Sequence, residues 1–225
     1  MPVAVYPPEF KVILTKSVLR HLNLRLKKLK LKLLADRTSL LLAADQFLRV
    51  FRNELFNSQV IQNVSKKGSD GPLTGIKSVA DAEVHPLFGM LGFPSSPAVD
   101  ALINNIRVGS TNVAFTTKKT PRGFIGDLTF DFNIFSGDPA ASINWSTGSV
   151  SWVRILEYGI SIGSHLFGWW IDSQSSRSND GIMIRNKNYS GFAIAPLYIF
   201  RTAFERAMVA TPADVMKRLR VRFVG

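Results

Sequence analysis

Residues 151–159 read SWVRILEYG, and this stretch decides how the fold is interpreted. Its apolar residues recur at helical spacing, which predicts a short helix over 150–158. Gly159 stands where a left-handed residue commonly ends a helix. Glu157 is expected either to bridge neighbouring subunits or to cap local backbone. Four side chains of the stretch are expected to be core residues that hold the helix against a sheet: Trp152, Ile155, Leu156 and Tyr158.

Alternation of apolar and polar residues predicts strands before and after this helix. The clearest strand runs from Leu128 to Ile134, and two more are expected around a Gly109-Ser110 turn. Further strands are expected at 160–162 and 182–184, with a polar loop over 172–181 between them. A helix is expected to begin at Pro196, because proline suits the first turn of a helix. Its apolar stripe comprises Leu197, Phe200, Phe204 and Met208.

The N-terminal part of the chain is predicted to be helical over residues 9–64 with a break near 36–39. Leucines 22, 26, 29 and 33 follow helical spacing, although residues 22–33 also alternate with period two, which leaves a strand as a competitor. Leu, Lys and Arg are good helix formers and therefore favour the helix. The whole pattern predicts an α+β fold, in which helices pack on an antiparallel β-sheet and a long basic N-terminal helical arm precedes it. The expected division is an arm and loop over 1–75 and an α+β domain over 76–225.

The net charge is +12 with a sequence pI of about 10.2, which favours a polyanionic or acidic partner. The N-terminal helix is cationic, since residues 16–37 hold eight Lys or Arg and one acid, Asp36. A second basic cluster, which includes Arg222, lies in the last residues of the sequence. Its charges either complement the C-terminus of a helix or face nucleic acid. A third cluster lies in an exposed loop expected over 118–123. The candidate DNA-facing residues are Lys118, Lys119, Arg122, Lys217, Arg218 and Arg220.

No constellation of residues predicts catalysis. The chain has no cysteine and three histidines, and these show no metal-ligand spacing with one another or with a carboxylate. Phosphate-binding and nucleophile motifs are missing from the sequence. We therefore expect no enzyme activity, no cofactor and no metal. No apolar run is long enough to cross a bilayer, and the first residues do not resemble a signal peptide, so synthesis in a reducing cytoplasm is expected.

Four tryptophans fall in one short region, at positions 145, 152, 169 and 170. Clustered indoles are typical of a core or a subunit interface. The candidate interface residues are Arg154, Glu157, Trp169 and Trp170.

The helix 150–159, the Ser176-Arg177-Ser178 loop, the strand Gly181–Ile184 and the run from Gly191 to Pro196 together resemble the neck and tail-completion proteins of tailed bacteriophages. The resemblance covers about residues 100–210. It implies a structural virion protein, assembled in the host cytoplasm, that forms a homo-oligomeric ring, six- or twelve-fold. Such a ring joins the portal or adaptor to the tail, and double-stranded DNA passes through its lumen. The helical arm would contact adjacent subunits, and no membrane contact is implied.

Two other functions remain open from the residues alone. The first is a nucleic-acid-binding protein whose basic arm grips phosphates, which predicts tight and salt-dependent DNA binding by the isolated chain. The second is a protein that binds an anionic membrane surface through the same arm. Residues 16–40 contain neither Trp nor Phe, which disfavours the membrane surface.

Overall fold

A computed structural model describes residues 16–67, 75–93, 97–120, 123–133, 137–145, 148–162, 165–168, 182–185 and 192–224. Over these residues the chain is mixed, with several helices and small sheets, so the α+β class is confirmed at this level. The chain divides into two compact units, Met1–Ser39 and Leu40–Gly225. The expected domain boundary after residue 75 stays a prediction.

The longest helix, α1, spans Lys16–Phe56, and α2 spans Gln59–Val64. The predicted break near residues 36–39 is wrong, because α1 is continuous there and ends at Phe56 instead. From Leu40 onward α1 buries one face, and this packing outweighs the weak helix propensity of Asp, Thr and Ser. In the first unit, every side chain of residues 20–29 is exposed. Residues 9–15 of the predicted helix lie outside the described residues.

The remaining described helices are short except for one. They are α3 (Val79–Val84), α4 (Phe88–Leu91), α5 (Val99–Asn104), α6 (Trp152–Tyr158), α7 (Ile199–Ala210) and α8 (Ala213–Met216). Helix α7 begins three residues after Pro196. Of its predicted stripe, Met208 is exposed, and Ala203 and Ala207 complete the buried face instead.

The strands are β1 (Gly75–Ile76), β2 (Val113–Thr120), β3 (Gly123–Asp131), β4 (Ser142–Trp145), β5 (Gly148–Ser151), β6 (Ile160–Ile162), β7 (His165–Gly168), β8 (Ile182–Arg185), β9 (Phe192–Ile194) and β10 (Leu219–Val224). They form two three-stranded sheets, β10-β3-β2 and β1-β9-β6, and two hairpins, β4-β5 and β7-β8.

The prediction of an antiparallel sheet is wrong for both three-stranded sheets. In each of them, one antiparallel pair is joined by a parallel strand, β10 on β3 and β1 on β9. The strand expected at 106–108 is also replaced by turns after α5, although Ile106 is buried. A parallel neighbour comes from a distant part of the chain, and local alternation does not reveal it.

Phenylalanine rings form the centre of the second unit. The ring of Phe130 on β3 lies 5.3 Å from Phe51 of α1 and 5.4 Å from Phe223 of β10, between ring centroids. The ring of Phe204 on α7 approaches Phe223 at 5.2 Å and Phe47 at 5.5 Å. This cluster fixes β10 and α7 against the sheet, since aromatic pairs at such distances add to the stabilisation from burial.

Helix α6 packs as expected on its apolar side. Trp152, Ile155 and Leu156 are buried, and the indole N–H of Trp152 donates to the carbonyl of Ala140 at 3.0 Å. Tyr158 was also expected in the core, but it is 37% exposed and touches Phe132 only edge-on. It occupies the last turn of the helix, on the side away from Trp152.

Gly159 ends α6 with φ 77° and ψ 174°, so its φ is positive as predicted but its ψ is extended rather than left-handed helical. A Cβ atom at this position would lie 2.6 Å from the carbonyl oxygen of Ile194 and 2.8 Å from the nitrogen of Pro196. Gly159 therefore lets the end of α6 approach β9 and the entry to α7.

Replacing Gly159 with alanine is expected to lower the free energy of unfolding by about 3 kcal/mol or more, because strain at positive φ adds to a backbone clash. Gly109 provides a matched control, since its φ is +80° and nothing lies within 4 Å of an added Cβ. G109A should cost only about 1 kcal/mol. Urea denaturation of both variants measures the difference, and equal losses would show that close approach at Gly159 is unimportant.

Candidate nucleic-acid interface

The sheet β10-β3-β2 brings together two basic segments that are far apart in sequence. Strands β2 and β3 form a hairpin that closes at the pair Thr120↔Gly123. Strand β10 runs parallel to β3 and starts at the pair Leu219↔Gly126. The beginning of β10 therefore lies at the closed end of the hairpin. Five of the candidate DNA-facing residues lie here: Lys118, Lys119, Lys217, Arg218 and Arg220.

The structure corrects the expected local setting of both segments. Lys118 and Lys119 lie in β2 and pair with Ile125 and Phe124, so the exposed loop expected over 118–123 is wrong at these positions. The threonines beside them favour an extended strand. In the C-terminal segment, Lys217 caps the end of α8, whereas the arginines that follow lie in β10. Arg122 lies outside the described residues.

Strand β10 was missed by the sequence interpretation, although a signal for it exists. Residues 219–224 read LRVRFV and alternate with period two. Leu219, Val221 and Phe223 pair with the β3 residues whose side chains face the core. Arg220 and Arg222 consequently lie on the outer face of the sheet, because successive strand residues point to opposite faces.

One carboxylate lies among the cations of this outer face. The Oδ2 atom of Asp127 on β3 is 2.6 Å from Nζ of Lys118 and 3.1 Å from Nη2 of Arg222. The three residues, called the Asp127 triad below, cross all three strands. The Asp127 side chain is only 5% exposed, while those of Lys118 and Arg222 are 55% and 51% exposed. Sequence reasoning did not single out Asp127 or the place of Arg222.

The triad lowers the pKa of Asp127 below its ordinary value of 3.8. The hydrogen bond from Lys118 is the main cause, and the charge of Arg222 adds to it, while burial opposes both. A carboxyl whose pKa falls on folding stabilises the fold above pH 3.8, and this stabilisation is lost as the pH falls through the lowered pKa. Asp127 is therefore a carboxylate in neutral solution.

Three further cations at this end of the sheet are called the basic edge: Lys119, Lys217 and Arg220. All three are exposed. Arg220 is the register partner of Asp127, yet the carboxylate bonds to the two diagonal cations instead. Exposed cations grouped at one end of a sheet are suited to contacts with phosphate groups, which need charge and reach but no shaped pocket.

The candidate interface residues are not brought together by the described structure. Arg154 is exposed on α6, and its backbone N–H donates to the Ser151 hydroxyl at 3.3 Å. Trp169 and Trp170 lie outside the described residues. Glu157 has no exposed surface, so its carboxylate is inaccessible to a neighbouring subunit. The expected contact of Glu157 with a neighbouring subunit is wrong because Glu157 lies on the buried side of α6. Sequence periodicity alone did not reveal a partner for a polar residue at that position.

Glu157 instead caps α7. Its Oε2 atom accepts from the backbone N–H groups of Phe200 at 3.0 Å and Arg201 at 3.5 Å. The N-cap residue Tyr198 has left-handed backbone angles and provides no side-chain cap. Glu157 therefore satisfies N–H groups that the first turn of a helix leaves unpaired. Glu157 was expected to cap local backbone, but the N–H groups that it accepts from belong to a helix more than forty residues further along the chain.

Burial raises the pKa of Glu157 above its ordinary 4.5, against the lowering effect of the two backbone N–H groups. Within the described part of the chain its Oε1 atom has no hydrogen-bond partner, and Nε of Arg201 lies 3.9 Å from it. As the pH rises from 4.5 through the raised pKa, the unfolded chain releases this proton first. The Glu157 contribution to stability consequently decreases over that window.

Replacing Glu157 with glutamine is expected to remove this pH dependence while an amide oxygen still caps α7. The difference in unfolding free energy between wild type and E157Q should shift in favour of E157Q as the pH rises from 4.5. E157A should be less stable by about 2–3 kcal/mol, because it leaves buried N–H groups unpaired. Thermal denaturation between pH 4 and pH 7 checks both; a constant difference between wild type and E157Q would contradict the assignment.

The described residues contain no cluster of three or more potential metal ligands, and none of the described helices is long and apolar enough to cross a membrane.

No protein-family model, no curated protein and no solved structure matches this chain.

Proposed function

We propose that this chain is a structural virion protein of the bacteriophage head–tail junction. In this proposal, identical subunits form a ring that joins the portal or adaptor to the tail, and double-stranded DNA passes through the lumen. The sequence resemblance suggests the ring. The convergence of two basic segments at one end of the sheet β10-β3-β2 is the observation that carries the DNA contact.

The basic edge fits contact with the DNA backbone. Its cations are exposed, belong to ordered strands and turns, and lie on a protein with net charge +12. Phosphate contacts of this kind position a duplex without reading its sequence. A lumen through which any DNA sequence must pass requires contacts of that type.

The first unit supports a contact between subunits. Leu22, Leu26 and Leu29 lie within one narrow stripe of α1 and are 44%, 53% and 57% exposed. A leucine stripe on a helix usually packs against another apolar surface. We propose that a neighbouring subunit covers it, as an N-terminal arm would require.

Imaging of the purified full-length chain tests the proposal directly. Negative-stain electron microscopy and sedimentation velocity, with and without double-stranded DNA, should show closed rings of one diameter. A monomer under all conditions, at concentrations well above those of an assembling virion protein, would reject the ring.

The rival function is a nucleic-acid-binding protein that acts as a single chain, favoured by the same clustered charge. It predicts tight DNA binding at concentrations where the chain is monomeric, with a steep loss of affinity as salt is raised. The ring predicts weak binding by the monomer and much tighter binding after assembly. A filter-binding titration at several protein and salt concentrations separates the two functions.

A pair of leucine variants tests the proposed arm contact. L26Q is expected to reduce ring formation by about tenfold, because it places a polar group in a buried contact. Leu24 is the matched control, since it is 52% exposed against 53% for Leu26 but lies on the opposite side of the helix. L24Q should assemble normally. Equal effects of the two variants on sedimentation would contradict the stripe as the contact surface.

A further inference from the structure

We propose that Asp127 is a positioning residue that withholds Lys118 and Arg222 from DNA, so that the sheet contacts phosphates through the basic edge alone. This inference rests on the proposed function and specifies the cations that form its DNA-binding surface. It separates two cations held by a carboxylate, Lys118 and Arg222, from the three exposed cations of the basic edge.

The burial of Asp127 makes its ion pairs hard to exchange. Its side chain is 5% exposed, and among the described residues only Oδ2 has a partner, since Oδ1 makes no hydrogen bond there. If either cation turned to a phosphate, a buried carboxylate would lose part of its compensation, which is costly in a poorly solvated site. A phosphate in solvent offers each cation a weaker, screened interaction in return.

The register of the strands decides which cations are held. Lys118 pairs with Ile125 and Arg222 with Thr129, so both are diagonal to Asp127 across their strand pairs. Arg220 lies directly opposite Asp127, but the ion pairs of the carboxylate are to the diagonal residues. Because ladder hydrogen bonds fix the register, a change of side-chain conformation alone does not redistribute these roles.

The consequence is measurable as salt dependence. The slope of log K for DNA binding against log salt concentration changes by about 0.9 for each phosphate contact. On this proposal, Lys118 and Arg222 contribute little to the slope of the wild-type protein. Removing the carboxylate makes both available without adding a cation.

Three variants of the full-length chain, titrated with a duplex DNA of random sequence, test the proposal. D127N should steepen the slope by about 1 to 2 and tighten binding at low salt by about tenfold. K119Q/R220Q, which removes two cations of the basic edge, should reduce the slope by about 2. K118Q/D127N/R222Q replaces the whole triad with neutral polar groups and should bind with the wild-type slope. Thermal denaturation checks that the triple variant is folded. A folded triple variant tests the proposal even if D127N alone is unstable.

The outcomes distinguish this inference from the proposed function. Suppose that wild type binds DNA. If D127N then leaves the slope unchanged, or if the triple variant loses as much slope as K119Q/R220Q, Asp127 does not withhold the two cations. In that case only this inference fails. If neither wild type nor D127N binds DNA, both proposals fail. If D127N alone binds, the basic edge of the wild-type sheet contacts no phosphate, and both this inference and the proposed DNA contact fail.

Discussion

The packing of Phe223 is the constraint on which the arrangement of the second unit depends. Its ring lies within 5.7 Å of Phe130, Phe132 and Phe204, so β10 is held on β3 with one face turned to the core. A strand alternates its faces, and a slip of one residue would bury the arginines and expose the phenylalanine. The packing of this partly buried ring against the core therefore places Arg220 and Arg222 on the outer face. The charge pattern of the sheet follows from the core and not from interactions between the charges themselves.

A second constraint joins the helices. The carboxylate of Glu157 lies at the beginning of α7, where Tyr198 leaves the chain in a left-handed conformation without a side-chain cap. The cost of burying this carboxyl is offset by hydrogen bonds from N–H groups that would otherwise be unpaired. Gly159, two residues later, allows the close approach that brings α6 to the entry of α7. The C-terminal end of SWVRILEYG thus serves one contact through both Glu157 and Gly159, which explains why a polar residue is tolerated on a buried helical face.

Local patterns in the sequence predicted elements well where packing agrees with propensity. The helix around Trp152, the strand through Leu128 and Phe130, and the short strands at 160–162 and 182–184 were all identified from periodicity, with some boundaries moved. The failures share one cause, because they depend on residues that are distant in sequence. The break expected in α1 is not observed because residues from Leu40 onward pack into a core. Strand β10 was missed because its arginines obscured the alternation of apolar residues, and only its pairing with β3 shows that this alternation belongs to a strand. Local charge clustering identified the cations of the candidate interface. The ion pairs of Asp127 with Lys118 and Arg222 depend on the strand pairing, so no local pattern predicts them.

The ion pairs of Lys118 and Arg222 with Asp127 would affect how tightly a ring binds the DNA that passes through it. The three cations of the basic edge would make only a few phosphate contacts per chain, so a single copy would bind weakly at physiological salt. Identical subunits around one duplex would multiply those contacts, because each further contact is made at high effective concentration. Affinity would then be a property of the assembly, and small changes in charge per subunit would be multiplied by the number of copies. In the proposed ring, withholding two cations in each subunit would strongly reduce the affinity of the whole assembly for DNA, and Asp127 lies beside both of those cations.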